Sequence, residues 1–162
     1  MTIDWGGLYE AHAAVLAGYL AKLVGDRDAG TELMQETFVR GLRHEHSIDE
    51  PRAAIRWLFR TATNLASNHR RRAAILRFLP FSGHESAQAE AFDVGADQVR
   101  TALRSIPVDQ AAALLLFYDN GFDRREIASM LGLSEEAVKS RLARGRANFK
   151  AAYGRLERGL AR

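Results

Sequence analysis

Cysteine is absent from this chain of 162 residues, which excludes disulfide bonds and thiolate zinc sites. Proline occurs only three times, and no apolar run approaches the ~20 residues that a membrane-spanning helix needs. The first residues contain Asp4 and Glu10 but no lysine or arginine, unlike the basic start of a signal peptide. We therefore expect no membrane insertion and a cytoplasmic location.

The usual sequence signatures of enzymes are missing as well. The chain has no glycine-rich phosphate loop and no nucleophile elbow, and its acidic residues form no paired-carboxylate pattern. His44 and His46 flank Glu45, but two loop histidines without a third firm ligand are a weak metal signal. We predict that the protein is not an enzyme, has no catalytic residues and holds no metal or cofactor.

Charge is distributed unevenly along the chain, although its formal net value is only +3. Residues 1–79 carry 11 basic and 9 acidic side chains, whereas residues 80–97 carry 4 acidic side chains and no basic one. Residues 98–162 carry 12 basic and 7 acidic side chains, and the stretch from Lys139 to Arg162 has 8 bases and one acid. A basic segment suits a polyanionic partner, but a solvated helix face would explain it equally well.

Apolar residues recur at helical spacing, and no useful stretch alternates with the period of a strand. Before residue 79 this spacing predicts three helices, at about Trp5–Val24, Asp28–Arg43 and Pro51–Leu76. The apolar side of the second helix is predicted to be Leu33, Met34, Thr37, Phe38 and Leu42. Beyond residue 97 the pattern predicts four more helices, near Gln98–Ile106, from Pro107, from about Asp123, and from Glu135 to about Leu156. The fold class is therefore all-α.

Residues 80–97 have a different composition from the segments on either side. Glycine, serine, alanine and acidic residues dominate, without an amphipathic period, so we predict a flexible linker between two small helical domains at 1–79 and 98–162. Fully extended, such a linker reaches ~60 Å. This exceeds one ~34 Å turn of DNA, so two modules joined in this way can act on separated sites.

The strongest local motif is RREIASMLGLSEEAVKSRLAR at residues 124–144, which has the pattern of a helix-turn-helix. Ala128 is small where two helices would cross, Gly132 permits the turn, and Ser134 can cap the second helix. The apolar positions leave basic and polar residues outside, among them Lys139, Ser140, Arg141 and Arg144. Arginine and lysine donate hydrogen bonds to guanine and to phosphates. The motif therefore favours DNA binding over a plain helical hairpin.

Three longer segments occur in a specific order: LMQETFVRGLR at 33–43, PRAAIRWLFRTATNLASNHRRR at 51–72, and GFDRREIASMLGLSEEAVKSRLARGR at 121–146. Together they closely resemble the bacterial RNA polymerase sigma factors of the extracytoplasmic-function (ECF) group, over nearly the whole chain except 80–97. The resemblance implies sigma region 2 in residues 1–79 and sigma region 4 in residues 98–162. It also implies a transcription-initiation subunit that directs core polymerase to promoters and assists strand opening.

The resemblance implies roles for residues of the first domain. The second helix would dock on the clamp helices of the polymerase beta-prime subunit through Glu32, Gln35, Glu36 and Arg40. The loop His44–Glu50 and the third helix would read the minus-ten element and help separate its strands through Arg52, Arg56, Trp57, Arg60 and Asn64. For Trp57, a role as an ordinary core aromatic is an equally good interpretation.

In the second domain, the resemblance implies recognition of the minus-thirty-five element by Lys139, Ser140, Arg141 and Arg144. Phosphate contacts would come from Arg124 and Arg125. Docking on the tip of the polymerase beta flap has as candidates Leu114, Leu115 and Phe117, although core packing is the more usual role of such residues. The partners expected from the resemblance are core polymerase, promoter DNA and an anti-sigma factor.

An alternative function is an autonomous helix-turn-helix regulator that binds operator DNA without polymerase. The first domain discriminates between the two hypotheses. An operator-binding regulator has no need of the docking face on the second helix or of the basic third helix.

Overall fold

The structure is a computed structural model that describes residues 2–78 and 94–161. Every regular element in these ranges is helical. The helices are α1 (Trp5–Val24), α2 (Arg27–Arg43), α3 (Pro51–Arg77), α4 (Val94–Ser105), α5 (Val108–Leu114), α6 (Arg124–Leu131) and α7 (Glu135–Leu160). A 3₁₀ turn (Glu45–Ser47) lies between α2 and α3, and a π-helical turn (Leu115–Asp119) extends α5. The predicted all-α class is confirmed.

Short-range signals in the sequence account for most of the helix ends. The carboxylate of Asp26 accepts hydrogen bonds from the first backbone N–H groups of α2, which have no partner within the helix. Pro51 occupies the first turn of α3, where its missing N–H group costs nothing. Gly25 ends α1 with a left-handed φ of 75°, a conformation that glycine adopts readily. The predicted linker lies outside the described residues up to 93, and α4 begins within its last four residues.

Helices α1, α2 and α3 pack around a shared apolar core in the first half of the chain. The backbones of α1 and α2 approach closely at Gly30, where a Cβ atom would lie 2.8 Å from the backbone nitrogen of Ala21 and 2.9 Å from the carbonyl oxygen of Ala17. Between α1 and α3, the buried hydroxyl groups of Tyr19 and Thr63 are 2.7 Å apart and hydrogen-bonded. Burial raises the pKa of Tyr19, so its phenol remains neutral.

One position on α2 differs from the prediction made from helical periodicity. Leu42 was expected on the apolar side, but its side chain is 52% exposed. Gly41 faces inward instead, and a Cβ atom there would lie 2.5 Å from the ring of Trp5. The ring of Trp5 leaves no room for a side chain at position 41, so a glycine faces the core there and Leu42 points outward.

In the second half of the chain, α5 lies across α7, and α6 packs against the first part of α7. Leu114 of α5 approaches Gly145 of α7, where a Cβ atom would be 3.2 Å from the leucine Cγ atom. The two halves also meet: the ring of Phe59 in α3 lies 5.1 Å, centroid to centroid, from that of Phe122, which precedes α6. The buried apolar residues of both halves consequently form one continuous core.

The contact between α1 and α2 predicts opposite effects for two glycine-to-alanine substitutions. Gly30→Ala should lower the free energy of unfolding by about 1–3 kcal/mol, because the new methyl group meets backbone atoms that cannot move aside. Gly18→Ala is the control, since a Cβ atom at this position of α1 would meet nothing within 4 Å apart from its chain neighbours and the backbone of its own helix. This change should raise stability by about 0.5–1 kcal/mol through helix propensity. Urea unfolding followed by circular dichroism measures both. Equal stability of the two variants would contradict the close packing at Gly30.

Candidate functional site

Helices α6 and α7 form the predicted helix-turn-helix. The Asp123 side chain accepts from the backbone of Glu126 at 2.8 Å, and the Glu126 side chain accepts from the backbone of Asp123 at 3.0 Å, which closes a capping box at the start of α6. Gly132 ends α6 with a φ of 66°, and the Ser134 hydroxyl accepts from the backbone of Ala137 to begin α7. The turn at Gly132 and the Ser134 cap therefore lie where the sequence predicted them, and the capping box at Asp123 is an additional feature of the structure.

The outer surface of α7 carries the four residues predicted to recognise DNA. Lys139, Ser140 and Arg144 are exposed, whereas Arg141 is half-buried. The Arg141 Nε atom lies 3.4 Å from a carboxylate oxygen of Asp109 in α5, which holds this guanidinium against its own domain. Three of the four side chains are thus free to meet a ligand, and the fourth is paired within the protein.

Asp109 was missed in the sequence because it is far from the motif along the chain and carries no signal of its own. It lines a surface cleft of about 300 Å³ together with residues of α7, among them Glu136, Ser140, Arg141 and Arg144. An acidic side chain beside a candidate DNA-reading surface disfavours contact with phosphate at that point. Its pairing with Arg141 fixes the direction of the guanidinium, so the cleft is electrically mixed and not uniformly basic.

Arg124 and Arg125 lie at the first positions of α6, and both are exposed. The capping box of Asp123 and Glu126 already occupies this helix start, so the attraction for an anion comes from the two arginine side chains. Both side chains are accessible to a phosphate group, and their contact with a DNA backbone stays a prediction.

A second candidate surface follows α3. Arg52, Arg60 and Asn64 are exposed, and Arg56 is half-buried with an Nη2 atom 3.8 Å from a carboxylate oxygen of Glu50. These side chains lie on one side of the helix because they are three or four residues apart. The helix therefore presents a polar, basic stripe, in which two arginines have acidic neighbours: Arg56 pairs with Glu50, and Arg52 lies 3.2 Å from Glu126.

Trp57 belongs to an aromatic cluster at the beginning of α3. Its ring lies edge-on to Trp5, with centroids 6.4 Å apart, and 5.9 Å from the ring of His44. Trp57 is half-buried and Trp5 is only 6% exposed, with an indole N–H group that has no hydrogen-bond partner. The cluster anchors the start of the predicted minus-ten loop, so Trp57 packs against the protein and keeps one part of its ring accessible.

The third candidate surface is the outer side of α2. All four predicted docking residues are exposed: Glu32, Gln35, Glu36 and Arg40. The carboxylate of Glu36 and the guanidinium of Arg40 are 2.7 Å apart, one helical turn along the axis. Val39 is 45% exposed on the same side, beside the exposed Leu42. The docking surface therefore combines charged and apolar groups, and sequence reasoning missed its apolar part because periodicity assigned Leu42 to the core.

The flap candidates are mainly core residues. Leu114 and Leu115 are 7% and 6% exposed, and Phe117 is half-buried with its ring 4.9 Å from that of Tyr118. Within residues 2–78 and 94–161, no three histidine or acidic side chains are close enough to hold a metal ion. The same residues contain no helix that is both long and apolar enough to cross a membrane.

Two family models match the chain. Residues 8–75 match the model described as Sigma-70 region 2, and residues 96–149 match the model described as Sigma-70, region 4. The chain is 32% identical over 142 residues to the ECF RNA polymerase sigma factor SigL of Mycobacterium tuberculosis, covering 83% of this chain and 80% of SigL. It is 31% identical over 161 residues to the ECF RNA polymerase sigma factor SigM of Bacillus subtilis, covering 96% and 97%.

Solved structures share the fold. The sigma factor RpoE of Bartonella quintana, solved with the anti-sigma factor NepR, superposes with a TM-score of 0.71 at 22% identity, covering 92% of this chain and 96% of RpoE. CnrH, solved with the cytosolic domain of CnrY, superposes with a TM-score of 0.67 at 25% identity, covering 91% and 85%. The chain thus shares its fold with these two solved structures.

Proposed function

The chain belongs to the sigma-70 family of RNA polymerase sigma factors, in its ECF group, and from this premise we propose which of its surfaces meet the polymerase and the promoter. It is a transcription-initiation factor and not an enzyme. The proposal rests on one observation above all: a helix-turn-helix, a basic stripe on α3 and a mixed charged and apolar surface on α2 occur in one chain. An autonomous operator-binding regulator needs only the first of these surfaces.

The outer side of α2 is proposed to dock on the clamp helices of the polymerase beta-prime subunit. Glu32, Gln35, Glu36 and Arg40 supply hydrogen bonds and charge complementarity, and Val39 supplies apolar area within the same patch. Interfaces of this kind take orientation from their charges and binding energy from their apolar contacts. The Glu36–Arg40 pair keeps both side chains extended along the helix before a partner arrives.

Promoter recognition is divided between α7 and α3. Lys139, Ser140 and Arg144 are proposed to enter the major groove of the minus-thirty-five element, while Arg124 and Arg125 bind phosphates beside it. Arg141 is proposed to contribute from its position beside Asp109. On α3, the minus-ten element is proposed to lie along Arg52, Arg56, Arg60 and Asn64, with the exposed part of Trp57 against an unpaired base.

The remaining partners follow from the same premise. RpoE was solved with the anti-sigma factor NepR, and CnrH with the cytosolic domain of CnrY. We therefore propose that this chain also binds an anti-sigma factor. Contact with the beta flap is assigned to the outside of α5 and its π-helical turn near Phe117, because the neighbouring leucines are buried. The proposed compartment is the cytoplasm, where the polymerase acts.

Run-off transcription with purified core polymerase tests the function as a whole. The protein should direct specific initiation from a subset of genomic promoter fragments, and core polymerase alone should not. If the protein bound promoter fragments tightly by itself but never changed the products of core polymerase, the operator-binding alternative would replace this proposal.

Charge reversal on α2 should weaken polymerase binding without unfolding the protein. Glu36→Arg places a cation next to Arg40 in a surface adapted to the opposite charge, so affinity for core polymerase should fall about tenfold or more. Glu10→Arg is the matched control, since it makes the same charge change at an exposed position of α1. Pull-down of core polymerase, with circular dichroism of each variant, measures the effect. Equal pull-down by both folded variants would remove α2 from the docking interface.

Loss of basic side chains from α3 should impair strand opening. Arg56→Ala combined with Arg60→Ala should reduce permanganate-reactive thymines at the minus-ten element of a duplex promoter, because less charge remains to hold the separated strand. A promoter with a pre-melted bubble should recover part of the signal. The control is Arg72→Ala combined with Arg77→Ala, which removes two exposed charges farther along the same helix. A normal footprint for the Arg56 and Arg60 variant on duplex DNA would refute the assignment.

Two substitutions in the helix-turn-helix should distinguish a residue that reads bases from a residue that binds phosphates. Arg144→Ala should flatten the preference at one or two minus-thirty-five positions, where a base-reading arginine contributes ~1–3 kcal/mol of discrimination. Arg124→Ala should weaken binding to all promoter sequences alike and reduce the salt dependence of that binding. Transcription from promoters carrying every single-base change in this element gives both profiles. A wild-type preference profile for Arg144→Ala at all positions would show that this side chain does not read bases.

A further inference from the structure

Asp109 lies beside the candidate recognition residues of α7, although it belongs to α5. One of its carboxylate oxygens is 3.4 Å from the Nε atom of Arg141, and the two side chains are 49% and 26% exposed. Both side chains line the cleft of about 300 Å³ that also contains Ser140 and Arg144. The pair therefore lies at the surface, where DNA bound along the exposed side of α7 would meet it.

Contacts between α5 and α7 fix the position of Asp109. The side-chain oxygen of Gln110 accepts a hydrogen bond from the side-chain nitrogen of Asn148 at 2.8 Å. A Cβ atom at Gly145 would lie 3.4 Å from the Cβ atom of Gln110. Gly145 and Asn148 follow Arg141 by one and two turns on the same side of α7, because residues three or four apart on a helix are neighbours. Asp109 thus reaches Arg141 from the first turn of a helix that is already docked.

The charges around this cleft are balanced. Two acidic residues, Asp109 and Glu136, and two basic residues, Arg141 and Arg144, line it together. A phosphate backbone is attracted by an excess of positive charge, which a balanced cleft lacks. Base edges in the major groove present hydrogen-bond donors and acceptors without net charge. The cleft is therefore better suited to base edges than to phosphates.

The pairing restricts what the Arg141 side chain can do. The guanidinium is planar, so a partner at Nε fixes the plane in which the terminal Nη groups lie. Nη groups held in a fixed plane can donate to the O6 and N7 atoms of a guanine. Without Asp109 the side chain would be free to rotate, and phosphate oxygens are the most frequent acceptors that DNA offers to an arginine. The carboxylate therefore both orients the guanidinium and competes with phosphate for it.

We propose that Asp109 is a positioning residue that sets base preference at the minus-thirty-five element, by holding the Arg141 guanidinium toward a base edge and away from the phosphates. The inference rests on the proposed function, because it concerns the same surface of α7. Specificity of this kind comes from penalising the wrong contact as well as from making the right one. Loss of the carboxylate should consequently strengthen binding to DNA in general and weaken discrimination between sequences.

A promoter series with the full chain and core polymerase tests this inference. Arg141→Ala first identifies the base position whose preference depends on Arg141, on promoters carrying every single-base change in the element. Asp109→Asn, which keeps the shape and removes the charge, should reduce the preference at that position about fivefold or more. It should also steepen the dependence of log affinity on log salt concentration by about one, since one more phosphate is bound. In the Arg141→Ala background, Asp109→Asn should have no further effect on that position.

Glu136→Gln is the matched control. It removes the same charge from the same cleft and leaves the pair of Asp109 and Arg141 in place. This variant should keep the wild-type preference at the position that depends on Arg141, which separates the pair from the general effect of charge. Circular dichroism and urea unfolding of each variant show that it is folded.

Three results would overturn the inference. The first is a wild-type preference and salt dependence for folded Asp109→Asn. The second is an Arg141→Ala profile that changes at no position, because Arg141 then reads no base. The third is equal weakening of all promoters by Asp109→Asn, because the carboxylate then supports the domain and not the reading. If the wild-type protein directs initiation with a preference in this element, the proposed function stands whatever Asp109→Asn does.

Nuclear magnetic resonance of the protein without polymerase tests the pair directly. The Nε–H signal of Arg141, identified by its loss in Arg141→Ala, should exchange with water more slowly than that of the exposed Arg144. Asp109→Asn should remove this difference. Equal exchange of the Arg141 signal in the wild-type protein and in Asp109→Asn would show that the carboxylate does not hold the guanidinium, and would overturn the inference without affecting the proposed function.

Discussion

The carbonyl groups at the helix ends between the two halves need a hydrogen-bond donor, and the Arg70 guanidinium supplies it. Carbonyl groups at the ends of α1 and α4 would otherwise be enclosed without hydrogen bonds, at a cost of ~1–3 kcal/mol for each unsatisfied group. The guanidinium is suited to this position because it has five N–H donors in one plane. Three of these donors, on Nε, Nη1 and Nη2, make hydrogen bonds here. The packing of Phe59 on Phe122 and the ion pairs Lys22–Asp119 and Arg52–Glu126 join the same two halves at other points.

This junction connects the fold to the function. The two surfaces proposed to bind promoter DNA, on α3 and on α7, are each held by their own half of the chain. The caps of α6 and α7 fix the helix-turn-helix locally, through Asp123, Glu126 and Ser134. Glu126 also contacts Arg52, so a residue that stabilises the helix-turn-helix takes part in the contact between the halves. Glu126 therefore contributes both to the capping of α6 and to the contact between the two halves of the chain.

Much of this architecture was accessible from the sequence, because its determinants are local. Helix starts followed from a proline at the first turn of α3 and a serine cap on α7, and helix ends followed from Gly25 and Gly132. The residues predicted for docking on α2 are exposed, and so are those predicted for recognition on α7 apart from the half-buried Arg141, since helical periodicity determines which side chains share a side. What each of these residues binds stays a prediction until it is tested.

Tertiary contacts decided the rest. Periodicity assigned Leu42 to the core, but the ring of Trp5, far away in the chain, leaves no room for a side chain at position 41, so a glycine faces the core there. Asp109 holds Arg141, and Arg70 joins α1 to α4, although neither residue stands out in the sequence. The sequence by itself determined which segments are helical and which family they belong to, because capping, turns and motif spacing act over a few residues. Only the folded chain decided which charges are paired and how the halves meet, because those contacts join residues that no local pattern relates.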